Sequence, residues 1–328
     1  MRRRDFIALV GSAAIWSPLQ LRAQPSRKNA RIGLLTGRAN IPLFVAANSG
    51  FSDELRQLGW IEGKNLTIEY LSHNDPGVDF ARRVAELVKS NIDVLVAVGP
   101  EFALQTAVGA TRTIPIAMIA INFDPIARGY VASLARPGGN VTGIFFRQLE
   151  LAQKQLELLT QAFPERTKAA ALYDALSTDQ FEAAKRFAES TNLQFHGLKL
   201  ENPPYDFAAA FRALEQGSAQ MLLVLSSGYF TPSASLIASL AAEHRLPTMF
   251  TFKTYVEAGG LMSYGVDYVA MHRRIAALVA KILEGTKPAD IPVEEPTRLE
   301  FVVNLKTAKS IDVQIPLSTQ LRADDVIE

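Results

Sequence analysis

From Arg31 onward the chain alternates short apolar runs with longer segments whose apolar residues recur every three or four positions. A short apolar run bounded by turn formers reads as a buried strand, and the wider spacing reads as an amphipathic helix. The first unit is a strand over 31–36 and a helix over 43–58, which Gly59 stops as a glycine cap would. A strand over 66–70 and a helix over 80–90 follow, then a strand over 93–98, a helix over 102–110 and a strand over 116–121. After Asn122 and Asp124-Pro125 a short amphipathic helix carrying Val131 and Leu134 is expected. Arg136-Pro137-Gly138-Gly139-Asn140 must turn, because these residues supply turn dihedrals at low cost, and 141–144 is one more strand.

The alternation then restarts. Helices are predicted over 148–162, 179–191, 206–216 and 233–244, with strands over 168–173, 193–200, 220–225 and 247–250. The tail returns through a helix over 254–258, a strand over 261–264, and a long helix capped by Asp267 that ends near Gly285. A proline-rich connection over 288–296 leads to a strand over 298–304, a helical turn over 305–310 and a packed end at Leu321-Arg322-Ala323-Asp324. Strands alternating with helices predict an α/β protein of two similar lobes, each a parallel sheet flanked by helices, with a ligand cleft between them. A chain of 328 residues suits two domains. The expected division is 28–145 plus 252–287 for the first lobe and 146–251 plus 288–328 for the second.

In such sheets ligands bind outside the carboxyl ends of the strands. That rule selects the loops 36–40, 99–101, 122–124, 174–178, 226–228 and 251–253. The candidate ligand-binding residues there are Thr36, Arg38, Gly99, Glu101, Asn122, Asp124, Ser177, Ser226 and Ser227. Glu101 reads either as a carboxylate for a ligand donor or as an acidic residue favoured in a first helical turn. Asp124 before Pro125 reads as a ligand contact or as a turn residue, and Ser226 and Ser227 as hydroxyl donors or as simple caps. Tyr173, Phe250, Phe252 and Tyr264 stand at strand ends, where aromatic side chains line small-molecule pockets or fill the core. Asp267 at the start of the long helix completes the set.

The remaining composition excludes more than it adds. A net charge of +1 gives no footprint for nucleic acid. The absence of cysteine removes disulfides, thiolate metal sites, a cysteine nucleophile and a lipid-modified amino-terminal cysteine. His73, His196, His244 and His272 have no paired metal spacing, so no metal or cofactor is expected. No glycine fingerprint for a nucleotide and no serine between spaced glycines is present, which argues against an enzyme. At the amino terminus Arg2-Arg3-Arg4 precedes an apolar run from Phe6 to Trp16, and Leu21-Arg22-Ala23 offers a small residue before Gln24. This predicts an export signal over 1–23, cleaved near Ala23, with Arg3-Arg4-Asp5-Phe6-Ile7 resembling the twin-arginine pattern. The apolar run falls short of the ~20 residues that span a bilayer. A periplasmic protein that is not a lipoprotein is the expectation.

Several segments also carry a family likeness. Leu58-Gly59-Trp60-Ile61-Glu62-Gly63-Lys64-Asn65-Leu66 resembles the LGY-EGKNL segment of one family of ABC-transporter substrate-binding proteins. The stretch from Ala132 to Gly143, that from Glu257 to Gly265, that from Phe301 to Lys309, and Leu321-Arg322-Ala323-Asp324 resemble the same family. The likeness covers essentially the whole mature chain. It implies a type I periplasmic-binding-protein fold and, in a family that includes binders of tryptophan and other aromatic amino acids, a small-molecule ligand. After the third strand the family often reads Gly-Thr-Pro-Ala-Ala, with a hydroxyl able to meet a ligand carboxylate. Here Gly99-Pro100-Glu101-Phe102-Ala103 lacks that hydroxyl and presents a carboxylate and an aromatic ring. The expectation is a monomeric solute-binding component of an ABC importer that captures a small polar or aromatic metabolite by hinge closure and hands it to an inner-membrane permease. The alternatives are a ligand-sensing subunit for a membrane receptor and, less in keeping with the motifs, an enzyme.

Overall fold

A computed structural model describes residues 29–37, 40–73, 79–296 and 298–328. The first sheet is built by β1 (Ala30–Thr36), β2 (Leu66–Ser72), β3 (Val94–Gly99), β4 (Ile116–Ala120) and β5 (Val141–Phe145), connected in part by α1 (Pro42–Gln57), α2 (Phe80–Lys89) and α3 (Glu101–Ala110). All its strands are parallel, in the order β2-β1-β3-β4-β5. Every residue of β3, β4 and β5 is buried, which is why β3 and β4 read as unbroken apolar runs. β2 lies at the edge and alternates instead.

The second lobe starts with α4 (Gln148–Ala162) and continues through β6 (Lys168–Tyr173), α5 (Thr178–Glu189), β7 (Gln194–Lys199), α6 (Phe207–Gln216), β8 (Met221–Val224), α7 (Ala234–Glu243), β9 (Thr248–Phe250), α8 (Lys253–Glu257) and β10 (Met262–Val266). Its first five strands lie in the order β7-β6-β8-β9-β10, the same winding as the first sheet. The chain then runs through α9 (Tyr268–Leu283), β11 (Leu299–Asn304), α10 (Leu305–Ser310), α11 (Leu317–Gln320) and β12 (Asp325–Ile327). β11 joins β10 antiparallel, so this sheet is mixed at its far edge where a wholly parallel one was expected.

The lobes exchange their closing elements. α4 follows the last strand of the first sheet yet packs on α5 of the second lobe, and α9 follows β10 yet packs on α1 and β4 of the first. The expected division therefore changes in two places. Lys253–Glu257 and Met262–Val266 belong with the second lobe, because β10 pairs with β9 and β11. Residues 288–295 run along the first, where Thr142 donates to the Ile291 carbonyl at 2.7 Å and Phe145 N–H to Glu294 at 2.8 Å. The short helix expected around Val131 and Leu134 does not form. Arg128 N–H reaches the Asp124 carbonyl at 3.1 Å, but Gly129 then turns left-handed at φ 75° and ends the coil after one turn. One apolar cluster runs through both lobes, from Ile32 and Phe51 to Phe211 and Phe230.

Candidate ligand-binding cleft

The carboxyl ends of β3, β4 and β8 face one another across the gap between the lobes. β3 closes on Gly99 with φ 119°, a value that favours glycine, and a Cβ there would lie 3.1 Å from the His73 ring. β4 runs through Ile121 into Asn122, left-handed at φ 70°. From the other lobe comes Ser226-Ser227-Gly228 after β8. These residues enclose a cavity completed by Leu43 and Phe44 from the first turn of α1, His73 after β2, and Pro100, Thr231, Phe252 and Tyr268. Its empty space, open mouth included, is about 450 Å³.

Aromatic rings dominate one wall. The Tyr268 ring lies 6.1 Å from Phe44 and 5.4 Å from Phe252, and burial raises its hydroxyl pKa. His73 stands edge-on to Phe102 at 5.4 Å and to Phe80 at 6.2 Å. The polar side is built from Asn122, Ser226, Ser227 and Thr231. Toward solvent a second, more polar cavity continues from Pro100 and Asn122, lined by Glu101, Phe102, Gln105 and Arg128 on one lobe and Leu176, Thr178 and Asp179 on the other. There Glu101 accepts from the Tyr130 hydroxyl at 3.1 Å and pairs with Arg128 at 3.2 Å. Burial, and then the Glu101 charge, push the Tyr130 pKa up to about 12. Arg128 also reaches Asp179 across the cleft at 3.7 Å. Half-exposed pairs of this kind contribute ~0–1 kcal/mol each.

The lobes touch. Asn122 donates to the carbonyls of Leu176 at 3.2 Å and Ser226 at 3.1 Å, so the cleft is closed over its inner cavity. The second-lobe loop is held from behind by Asp174, a fully buried carboxylate. Asp174 accepts from Leu176 N–H and the Ser177 hydroxyl, both at 3.0 Å, from the Tyr205 hydroxyl at 3.1 Å, and from the Ser227 hydroxyl. Burial and the Asp174 charge raise the Tyr205 pKa.

Gly99, Asn122, Ser226, Ser227 and Phe252 are thus brought to the inner cavity, and Glu101 to the outer one. The others stand elsewhere. Ser177 is fully buried and its hydroxyl serves Asp174, not the cleft, and the Ser227 hydroxyl does the same although its residue lines the cavity. Tyr173 stacks on Phe181 at 4.4 Å, Phe250 on Tyr255 at 4.9 Å, and Tyr264 lies edge-on to Phe301 at 6.3 Å. All three pack within the second lobe. Asp124 serves its turn by accepting from Ile126 N–H at 2.8 Å, and Asp267 caps α9 through Ala270 N–H at 2.9 Å. Thr36 is buried at the end of β1, where its carbonyl accepts from His73 N–H at 3.0 Å. Arg38 lies outside the described residues. Sequence reasoning did not select Phe44, His73, Thr231 or Tyr268. The strand-end rule, applied to β2 as it was to the other strands, selects His73, and Tyr268 is the residue next to the cap Asp267.

The model of one protein family, described as ABC transporter substrate binding protein, matches residues 40–327. A tyrosine-binding protein of Clostridioides difficile (strain R20291) is 26% identical over 306 residues, which cover 92% of this chain and 85% of that protein. Among solved structures, a conserved domain protein of Vibrio cholerae O1 biovar eltor superposes with a TM-score of 0.82 at 25% identity, covering 91% of this chain and 100% of that one. An ABC domain from Streptococcus pneumonia in complex with L-Trp superposes with a TM-score of 0.80 at 26% identity, covering 92% and 100%.

Proposed function

The chain belongs to the ABC transporter substrate-binding protein family and has the type I periplasmic-binding-protein fold, and from that premise we propose that it captures an aromatic amino acid or a close relative between its lobes and delivers it to an ABC permease of the inner membrane. The observation that carries this reading is the inner cavity, walled by Phe44, Phe252 and Tyr268 and furnished by both lobes. Aromatic rings favour stacked or edge-on contact with a flat ligand. Among the described residues its lining has no arginine, lysine, aspartate or glutamate. The ligand body is therefore held by ring faces and by uncharged hydrogen bonds. With no hydroxyl at Pro100, the Ser226 hydroxyl takes over a ligand carboxylate. The neighbouring proteins whose names mention tyrosine and L-Trp support this ligand class.

Capture works by a shift of population. Groups from both lobes contact the ligand only when the cleft is shut, so the ligand stabilises the closed state by its differential affinity. The permease reads that state, and the ligand leaves unaltered. The export signal over 1–23 directs the chain to the periplasm, where it works as a monomer.

Calorimetric titration of the mature protein tests the binding. L-tyrosine and L-tryptophan are expected to bind saturably and L-leucine much more weakly. Equal affinity for leucine would contradict the role given to the ring wall. For export, changing Arg3 and Arg4 together to Lys is expected to leave the precursor in the cytoplasm, and undiminished periplasmic protein would rule out the twin-arginine route.

A further inference from the structure

Asn122 stands where both lobes and both cavities meet. Its left-handed backbone, φ 70°, is one that asparagine tolerates better than most side chains. The amide nitrogen donates to the Leu176 carbonyl at 3.2 Å and the Ser226 carbonyl at 3.1 Å, both on the second lobe. Carbonyl oxygens only accept, so the nitrogen and not the oxygen of the carboxamide must face them. Its N–H groups are thereby committed to the opposite lobe. The Oδ1 atom is buried and has no hydrogen-bond partner among the described residues. A buried acceptor left unpaired is costly and calls for an explanation. Here the unpaired acceptor belongs to a residue that lines the ligand cavity.

We propose that Asn122 couples ligand identity to closure: its N–H groups clasp the second lobe, and its Oδ1 accepts a hydrogen bond from the protonated amine of the ligand. This rests on the aromatic-ligand reading above and adds the group that the ligand must present. An amine suits the place better than a hydroxyl. The charged side chains described around the outer cavity, which Asn122 also lines, are Glu101, Asp179 and Arg128, two acids to one base. Their field favours a cation at the junction. A ligand without the amine leaves Oδ1 unpaired in the closed state and forfeits part of the closing force, however well its ring fits.

Two variants separate the halves of the proposal. Asn122→Gly removes the carboxamide while accepting the left-handed backbone. Asn122→Asp keeps an acceptor but loses the N–H clasp. L-tyrosine and L-tryptophan would be titrated against wild type and both variants, beside their deaminated counterparts 3-(4-hydroxyphenyl)propanoate and 3-(indol-3-yl)propanoate, with circular dichroism confirming that each variant is folded. Wild type is expected to prefer the amine-bearing member of each pair by about ten- to a hundredfold, the usual weight of a hydrogen bond to a charged group. In Asn122→Gly that preference is expected to collapse to near unity, and in Asn122→Asp to persist. With L-tyrosine or L-tryptophan bound, solution scattering of both variants is expected to report a more open protein than wild type.

An undiminished preference in folded Asn122→Gly would overturn the amine assignment. Scattering identical to wild type for both variants would overturn the clasp. If none of the four compounds binds wild type, the aromatic ligand class fails, and with it the amine assignment and the coupling of ligand to closure.

Discussion

Gln180 and Ser226 exchange two hydrogen bonds: Ser226 N–H donates to Gln180 Oε1 at 3.0 Å, and Gln180 Nε2 donates to the Ser226 carbonyl at 2.9 Å. Both residues are buried. The side-chain amide acts here as a stand-in for a neighbouring strand's peptide, just beyond the end of β8. Gln148 at the start of α4 donates to the same Oε1 at 3.0 Å, so the chain's entry into the second lobe is tied to the cleft loop after β8. The Ser226 carbonyl that Asn122 grips on closure is thus already fixed before the lobes meet.

Gln180→Leu is expected to strand the Ser226 N–H and cost about 1–3 kcal/mol of stability, the range for a buried donor left without a partner. Gln180→Glu keeps the acceptor for Ser226 N–H but loses the donor to the Ser226 carbonyl and buries a carboxylate, so at neutral pH it is expected to cost at least as much as the Leu variant and to be milder only where the carboxyl is protonated. Denaturant melts of the two variants beside wild type check this. A Leu variant as stable as wild type would mean that the pairing holds nothing in place.

Gly143 is the second test of local geometry. It lies in β5 at φ 144°, and a Cβ there would come within 2.0 Å of the Met118 carbonyl oxygen and 2.5 Å of the Met118 nitrogen on β4. Both atoms are backbone of a buried central strand, so neither can move cheaply. Gly143→Ala is expected to destabilise by roughly 3 kcal/mol or more, combining a strained backbone with overpacking. Gly138→Ala, in a turn where a Cβ meets nothing closer than 3.6 Å, carries the backbone strain alone and is expected to cost less. Thermal melts of the two variants rank them.

The two-lobed fold was legible because buried parallel strands have a plain signature. Val94–Gly99, Ile116–Ala120 and Met221–Val224 are apolar throughout and buried throughout. What such runs do not carry is the identity of the neighbouring strand. Met262–Val266 reads the same whichever sheet it joins, and its place beside β9 is decided by tertiary contacts alone. The cleft loops were legible from the strand-end rule, which led to Gly99, Asn122 and Ser226. The direction of a hydroxyl was not. Ser177 and Ser226 sit in equivalent-looking polar loops, but Ser177 turns inward because Asp174 is buried beside it and needs donors. That carboxylate is visible in the sequence only as one more loop aspartate. Phe44 and Tyr268 come from helix starts, which the strand-end rule does not reach.

His272 predicts a pH dependence. It is buried within α9, and burial lowers its pKa to about 4. Nδ1 lies 2.9 Å from the Tyr268 carbonyl, which can only accept, so Nδ1 carries the proton of the neutral ring. In the unfolded chain a histidine titrates near 6.5. Between these values the unfolded chain binds a proton that the native protein refuses. Stability is therefore fully present above about pH 6.5 and falls as the pH drops toward 4, by roughly 3 kcal/mol in all at 1.36 kcal/mol per unit. Urea melts of wild type and His272→Leu at pH 7 and pH 4.5 isolate the contribution. The loss on acidification is expected to be smaller in the variant, and an equal loss in both would assign the acid sensitivity to other groups.

Glu101→Gln tests how the cleft mouth works. The Glu101 carboxylate already accepts from the Tyr130 hydroxyl at 3.1 Å and pairs with Arg128 at 3.2 Å, both on its own lobe. Glutamine keeps an acceptor for Tyr130 and loses only the charge. The ion pairs there are half-exposed, so the stability change is expected to stay below ~1 kcal/mol and to shrink further in salt. Affinity for an aromatic amino acid is expected to fall by less than about fivefold, since the carboxylate acts on a bound amine through its field and not by contact. The Tyr130 pKa is expected to drop below about 12, because the neighbouring charge that raises it is gone. Calorimetry at two salt concentrations and a difference titration of tyrosine absorbance measure these effects. A salt-insensitive loss of tenfold or more would instead put the Glu101 carboxylate in direct contact with the ligand and move the amine from the junction at Asn122 into the outer cavity.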